Sequence, residues 1–214
     1  MSGRLKRGNP PPRTIRRHNY YEVLPDLLAC FGERCAYSMQ HQERAGRLEV
    51  DHFNPTTKRK PKQDYNNLFP ASRHCNSKKS NHWPNEEQLA AGIRFLNPCE
   101  ENDYGEQIFE DPESHLLHGT TPAATWHIRI CGLNAEHLVI ERKKRAECWL
   151  LFEKTKRATI AKGLGWAQLA KLIESYKTMI EILIPPIPFR KKPPVDPQPS
   201  SPSTSAPVRR GRRG

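Results

Sequence analysis

The stretch that decides the reading is Arg47–His82, RLEVDHFNPTTKRKPKQDYNNLFPASRHCNSKKSNH. It opens on an alternating segment that puts Leu48, Val50 and His52 on one face of a strand and Glu49, Asp51 and Phe53 on the other. Pro55 ends the strand, and residues 54–66 form a loop carrying Lys58, Arg59, Lys60 and Lys62. A second short strand is expected over 67–71 and a helix from near His74, with Lys78 and Lys79 on it. An imidazole, side-chain oxygens for a hard cation and a run of phosphate-binding cations therefore sit in one short segment, the set that metal-assisted phosphodiester hydrolysis requires. A regular strand points Asp51 and His52 apart, so their sharing one site calls for a twist or bulge near residue 52.

Asp51-His52 at a strand end, then Asn67-Leu68, then Cys75-Asn76-Ser77-Lys78-Lys79, resemble the HNH endonuclease finger, a ββα-metal unit. The resemblance implies His52 as general base and Asp51 with Asn76 as the holders of one divalent cation. Asn67 would hold the loop and orient the histidine, and Lys79, with Lys78 beside it, would touch phosphate. Two oxygen ligands leave coordination positions for water and phosphate, as Mg²⁺ prefers, and Mn²⁺ serves similarly. His82 is an additional candidate ligand or phosphate contact, against the plainer reading of a surface histidine after a helix.

Many HNH proteins add a structural zinc held by two Cys-x-x-Cys pairs. Here Cys35 is followed by Ser38, and Ser72 precedes Cys75. Serine is a poor zinc ligand and two thiolates make an incomplete tetrahedral shell, so a complete structural Zn²⁺ site is disfavoured. Cys30, His41 and His74 are the substitutes within reach; otherwise Cys35 and Cys75 are small buried residues.

The net charge of +12 is carried by the ends. Residues 1–17 and 186–214 together account for all of it, leaving 18–185 formally neutral. Residues 44–82 are basic while 83–118 hold nine acids against Arg94, so a polyanion meets the finger and the ends. Six widely spaced cysteines and no apolar signal segment fit reduced thiols in a cytoplasmic protein. No apolar run approaches a membrane span.

The fold class expected is α+β, an HNH finger embedded in a mainly helical domain. Residues 1–17 read as a disordered basic arm, 18–100 as the nuclease core with its finger at 47–82, 101–185 as a mainly helical region and 186–214 as a disordered Pro/Ser/Arg-rich tail. The apolar spacing predicts helices over 18–31, 86–95 and 166–184, a strand over 125–130, and a long helix capped by Asn134 and running to about Lys162. Phe95-Leu-Asn-Pro98, Asp111-Pro112 and the segment from Thr125 through Asn134 to Arg142 resemble the HNH subgroup of Septu-type and retron-associated antiphage defence systems. That resemblance implies an SMC-like or ABC-type ATPase partner, with the two last helices as docking surfaces. The functional reading is thus a metal-dependent endonuclease acting on DNA; the rivals are a non-catalytic nucleic-acid-binding module and a structural subunit of a larger complex.

Overall fold

The computed structural model describes residues 7–100, 104–163 and 165–186. The finger is two antiparallel strands and a helix. Strand β1, Glu49–His52, pairs with β2, Leu68–Ala71, in the register Glu49↔Ala71 through His52↔Leu68. Helix α3, Arg73–Lys79, follows at once, with Ser72 accepting from the Cys75 N–H as its N-cap. Ahead of the finger lie a 3₁₀ turn, Tyr20–Val23, helix α1, Leu24–Phe31, with Pro25 in its first turn, and the short helix α2, Gln42–Ala45.

Beyond the finger come α4, Glu86–Ala90, the hairpin of β3, Ile108–Glu110, with β4, Leu117–Gly119, and helix α5, Pro122–Ile130. A long antiparallel pair ends the described chain: α6, Glu136–Ala161, and α7, Trp166–Glu181. The α+β class holds. One core cluster draws Cys35, Leu48, Ala71 and Cys75 from the finger side together with Ile108, Leu117, Trp126 and Leu133 from beyond residue 100. The two stretches on either side of residue 100 therefore share their buried interior.

Four local expectations change. The stretch 125–130, expected as a strand, is helix α5: Thr121 caps it by accepting from Ala124 N–H, Pro122 starts it, and its alternating apolar residues are buried on several sides at once. Helix α4 stops at Ala90 because Gly92, at φ +75°, breaks it. Asn134 does not cap α6. Its side chain instead brackets Leu117, accepting from the Leu117 N–H at 2.8 Å and donating to its carbonyl at 2.9 Å, which ties the α5–α6 turn to β4. Finally, residues 7–17, read as a disordered arm, lie against the finger: Arg17 N–H donates to Pro61 O at 3.1 Å and Gln63 N–H to Ile15 O at 2.9 Å. Buried Ile15 supplies the apolar contact that the composition of the segment hides. The rest of the arm, residues 1–6, and the tail from 187 on lie outside the described residues.

Candidate active site

The β1–β2 pairing runs without a bulge through His52↔Leu68, so Asp51 and His52 leave the strand on opposite faces. Asp51 turns inward, 5 % exposed, where the Tyr37 hydroxyl donates to one carboxylate oxygen and Lys79 Nζ lies 2.9 and 3.1 Å from the two. Lys79, expected on phosphate, is fully buried and also donates to the His52 carbonyl at 2.7 Å. It is an internal counter-ion. Burial raises the Asp51 carboxyl above the ordinary carboxylate value, with Lys79 and Tyr37 pulling the other way.

His52 faces the opposite way, its ring 4.6 Å from the ring of Tyr20, with Nε2 2.8 Å from Gln63 Oε1. The orientation of Gln63 is set by its own amide, whose Nε2 donates to the carbonyls of Lys58 and Lys60. Its Oε1 is thus the acceptor, His52 Nε2 carries the hydrogen, and Nδ1 keeps the lone pair. Burial lowers the His52 pKa below the usual imidazole value, with Gln63 acting in opposition, so the ring is neutral near pH 7. Just after His52 the chain is clamped by Asn67, which accepts from Asn54 N–H at 2.7 Å and donates to Asn54 O and Thr57 Oγ1, both at 3.0 Å. Gln63 carries no signal in the sequence, because glutamine in a basic loop looks like solvated surface.

Asn76 meets Glu49 rather than Asp51: its Nδ2 donates to Glu49 Oε2 at 2.6 Å. This pair sits on the rim of a cleft of about 690 Å³ at the free edge of β1, also lined by Arg47, Arg73 and Tyr20. Glu49 and Asn76 line this cleft together with Tyr20, whose ring packs on His52; His52 itself is not among the described residues that line it. Glu49 was missed because its expected face held the motif residue Asp51, which accounts for the family's acid by itself. Among the described residues no three His, Cys, Asp or Glu side chains converge as a metal cluster. The oxygens of Asn76 and Glu49 nevertheless have the chemistry that a hard divalent cation takes, whereas both oxygens of Asp51, expected as a ligand, are taken by Tyr37 and Lys79.

Residues 33–82 match the HNH endonuclease family model. At the level of that family the match supports a nuclease acting on nucleic acid, and such nucleases generally use a divalent metal. No curated protein and no solved structure matches the chain.

Within the HNH segment the remaining expected residues fall into three groups. Arg59, Lys60, Lys62 and Lys78 are exposed and Lys58 half-buried, so these cations are available to a polyanion. His82 closes the helix instead of the site, with Nδ1 donating to Lys79 O at 2.9 Å. Cys35, Ser38, Ser72 and Cys75 converge in a buried knot in which Ser38 N–H points at Cys35 Sγ, 3.5 Å away, and Cys75 hydrogen-bonds Cys35. That bond lowers the Cys35 thiol and raises that of Cys75. No helix of the described residues is long and apolar enough to cross a membrane.

Proposed function

We propose that this chain is a divalent-metal-dependent endonuclease that hydrolyses phosphodiester bonds in DNA, with His52 as general base. The observation that carries the reading is the His52 ring, held by Gln63 through Nε2 so that Nδ1 keeps the lone pair, and packed on Tyr20, which lines the cleft edged by Asn76 and Glu49. Nδ1 takes a proton from the attacking water, Gln63 holds the ring through Nε2, and Asn67 keeps the strand exit in place. Arg47 and Arg73 hold the phosphate of the substrate in the cleft. Asn76 and Glu49 would hold the cation, Mg²⁺ or Mn²⁺. When bound, such an ion supplies positive charge for the phosphoryl and leaving oxygens.

The test is nicking of supercoiled plasmid by the purified chain with Mg²⁺ or Mn²⁺, with EDTA and His52→Ala as controls. Nicking is expected to stop on chelation and to fall by about 10²–10⁴-fold in His52→Ala, with DNA binding retained. Undiminished nicking by His52→Ala would falsify the assignment. A second reading has one observation in its favour. Asp51 is already neutralised by Lys79, as suits a finger that binds nucleic acid without cutting it. Mn²⁺ binding separates the two: the nuclease reading expects it to weaken in Asn76→Ala and Glu49→Gln, and the binding-module reading expects none to lose.

The wider resemblance extends the proposal to an effector of antiphage defence controlled by an SMC-like or ABC-type ATPase. What supports it is the α6–α7 pair, which leaves Trp149, Leu150, Leu151 and Trp166 exposed. Co-purification with an ATPase encoded beside it, lost when Trp149 and Leu150 are changed to Ser, is the check.

A further inference from the structure

Helix α3 has two open flanks. Cys75 and Lys79 form its buried stripe, Arg73 and Asn76 face the cleft already described, and His74 and Lys78 project on the other side. That second side is a groove of about 620 Å³ whose far wall comes from β4 and α5, outside the matched residues 33–82. Lys78 and Arg129 line it together with His74 and His118, and no carboxylate is among the described residues that line it.

The groove is built rather than accidental. His74 Nε2 donates to the Gly132 carbonyl at 3.0 Å, and a Cβ on Gly132 would lie 2.9 Å from that nitrogen, so backbone and helix close directly on each other. His137 packs edge-on against His74, ring centroids 4.6 Å apart, and Asn134 fixes the turn above to β4. Both walls are thereby held while Lys78, His118 and Arg129 stay exposed.

We propose that this groove is a second phosphate site that takes the sugar–phosphate backbone of the nucleic acid whose scissile phosphate occupies the cleft across α3. The inference rests on the nuclease reading. An open, exposed groove suits a polymer better than a small molecule, which sites of its own usually bury over most of its surface. Arg73, exposed on α3, puts a cation at the cleft as Lys78 does at the groove. A helix with its side chains is about 10 Å across, so a duplex presenting one negative charge per roughly 1.7 Å of axis offers phosphates to both flanks at once. An isolated phosphate can engage only one of them.

The test is binding of a fluorescein-labelled DNA duplex by the full chain in EDTA, titrated over salt. Three proteins are compared: the unchanged chain, Lys78→Gln/Arg129→Gln in the groove, and Arg59→Gln/Lys60→Gln in the finger loop. The groove pair is expected to bind about tenfold more weakly, with a log–log salt slope shallower by roughly two, one for each phosphate no longer neutralised. A Lys78→Arg/Arg129→Lys version should restore both, which separates charge from folding. If the groove pair binds as the unchanged chain does while the loop pair weakens, the groove assignment fails and the nuclease reading stands. If neither pair changes binding, the groove assignment fails and the finger loop is not the binding surface either, while the nuclease reading still stands on its own His52→Ala test. Inorganic phosphate added at constant ionic strength is expected not to displace the duplex; displacement that disappears in the groove pair would make the ligand a small phosphate and overturn the backbone assignment.

Discussion

A histidine becomes a useful base only when its protons are in the right place. In this chain Gln63 decides that, because its amide is spent on two backbone carbonyls and its Oε1 can only accept. We expect Gln63→Ala to reduce the cleavage rate by about tenfold or more while leaving DNA binding intact, since the ring then samples the other tautomer. A merely structural role would not move the ring nitrogens: ¹⁵N shifts of His52 should report a protonated Nε2 in the unchanged chain and a mixture in the variant. Gln63→Glu adds a carboxylate that favours imidazolium, so the acid limb of the pH–rate profile should move upward. An unaltered tautomer ratio and profile would remove Gln63 from the mechanism. Neighbouring Lys78 and Lys79 show how little residue type alone decides: one is exposed on a groove, the other fully buried against Asp51.

At the level of elements, the finger was legible because its motif spacing, turn residues and helix N-cap agree: strands at 49–52 and 68–71 and a helix at 73–79 lie within a residue or two of the expected places. Helix α5 was not legible. Its apolar residues alternate over so short a run that the strand and buried-helix patterns coincide, and Thr121-Pro122 was the signal that distinguished them. Which side chains pair at the candidate site was not legible, since which acid meets Asn76 depends on strand register and on where Lys79 goes. Cys35, Ser38, Ser72 and Cys75 converge as the four ligands of a tetrahedral metal site would, with hydroxyls at two of the positions. Restoring thiols with Ser38→Cys/Ser72→Cys is expected to create a four-thiolate site binding one Zn²⁺ per chain. Co²⁺ substitution should give tetrahedral thiolate absorption bands, and metal should raise the melting temperature. If the double variant takes up no more metal than the unchanged chain, the four positions do not point at a common centre.

Across the whole molecule, segments far apart in sequence converge on the finger. The N-terminal segment reaches the loop from outside, where Ile15 O accepts from the Gln63 N–H and Arg7 Nη1 donates to the carbonyls of Tyr65 and Leu68, so the residue that orients His52 is itself held by chain some fifty residues earlier in sequence. At the other end the helical pair projects from the core, yet the chain after α7 returns. Ile184 is 2 % exposed in a cluster with Phe31, Phe69 and Leu138, Arg34 Nη1 donates to Leu183 O at 3.0 Å, and Arg145 Nη1 to Ile184 O at 3.0 Å. The pair is therefore a loop anchored at both ends rather than a free appendage, which is why cutting the chain at Gly163 would remove core as well as hairpin. Ile184→Ala is expected to cost about 2–5 kcal/mol, the range for emptying a buried aliphatic site, in a single cooperative transition that His52 environment and far-ultraviolet signal report together. If the variant melts as the unchanged chain does, while protease cleaves within 165–186 more readily, then this segment is a separable flap and the finger owes nothing to it.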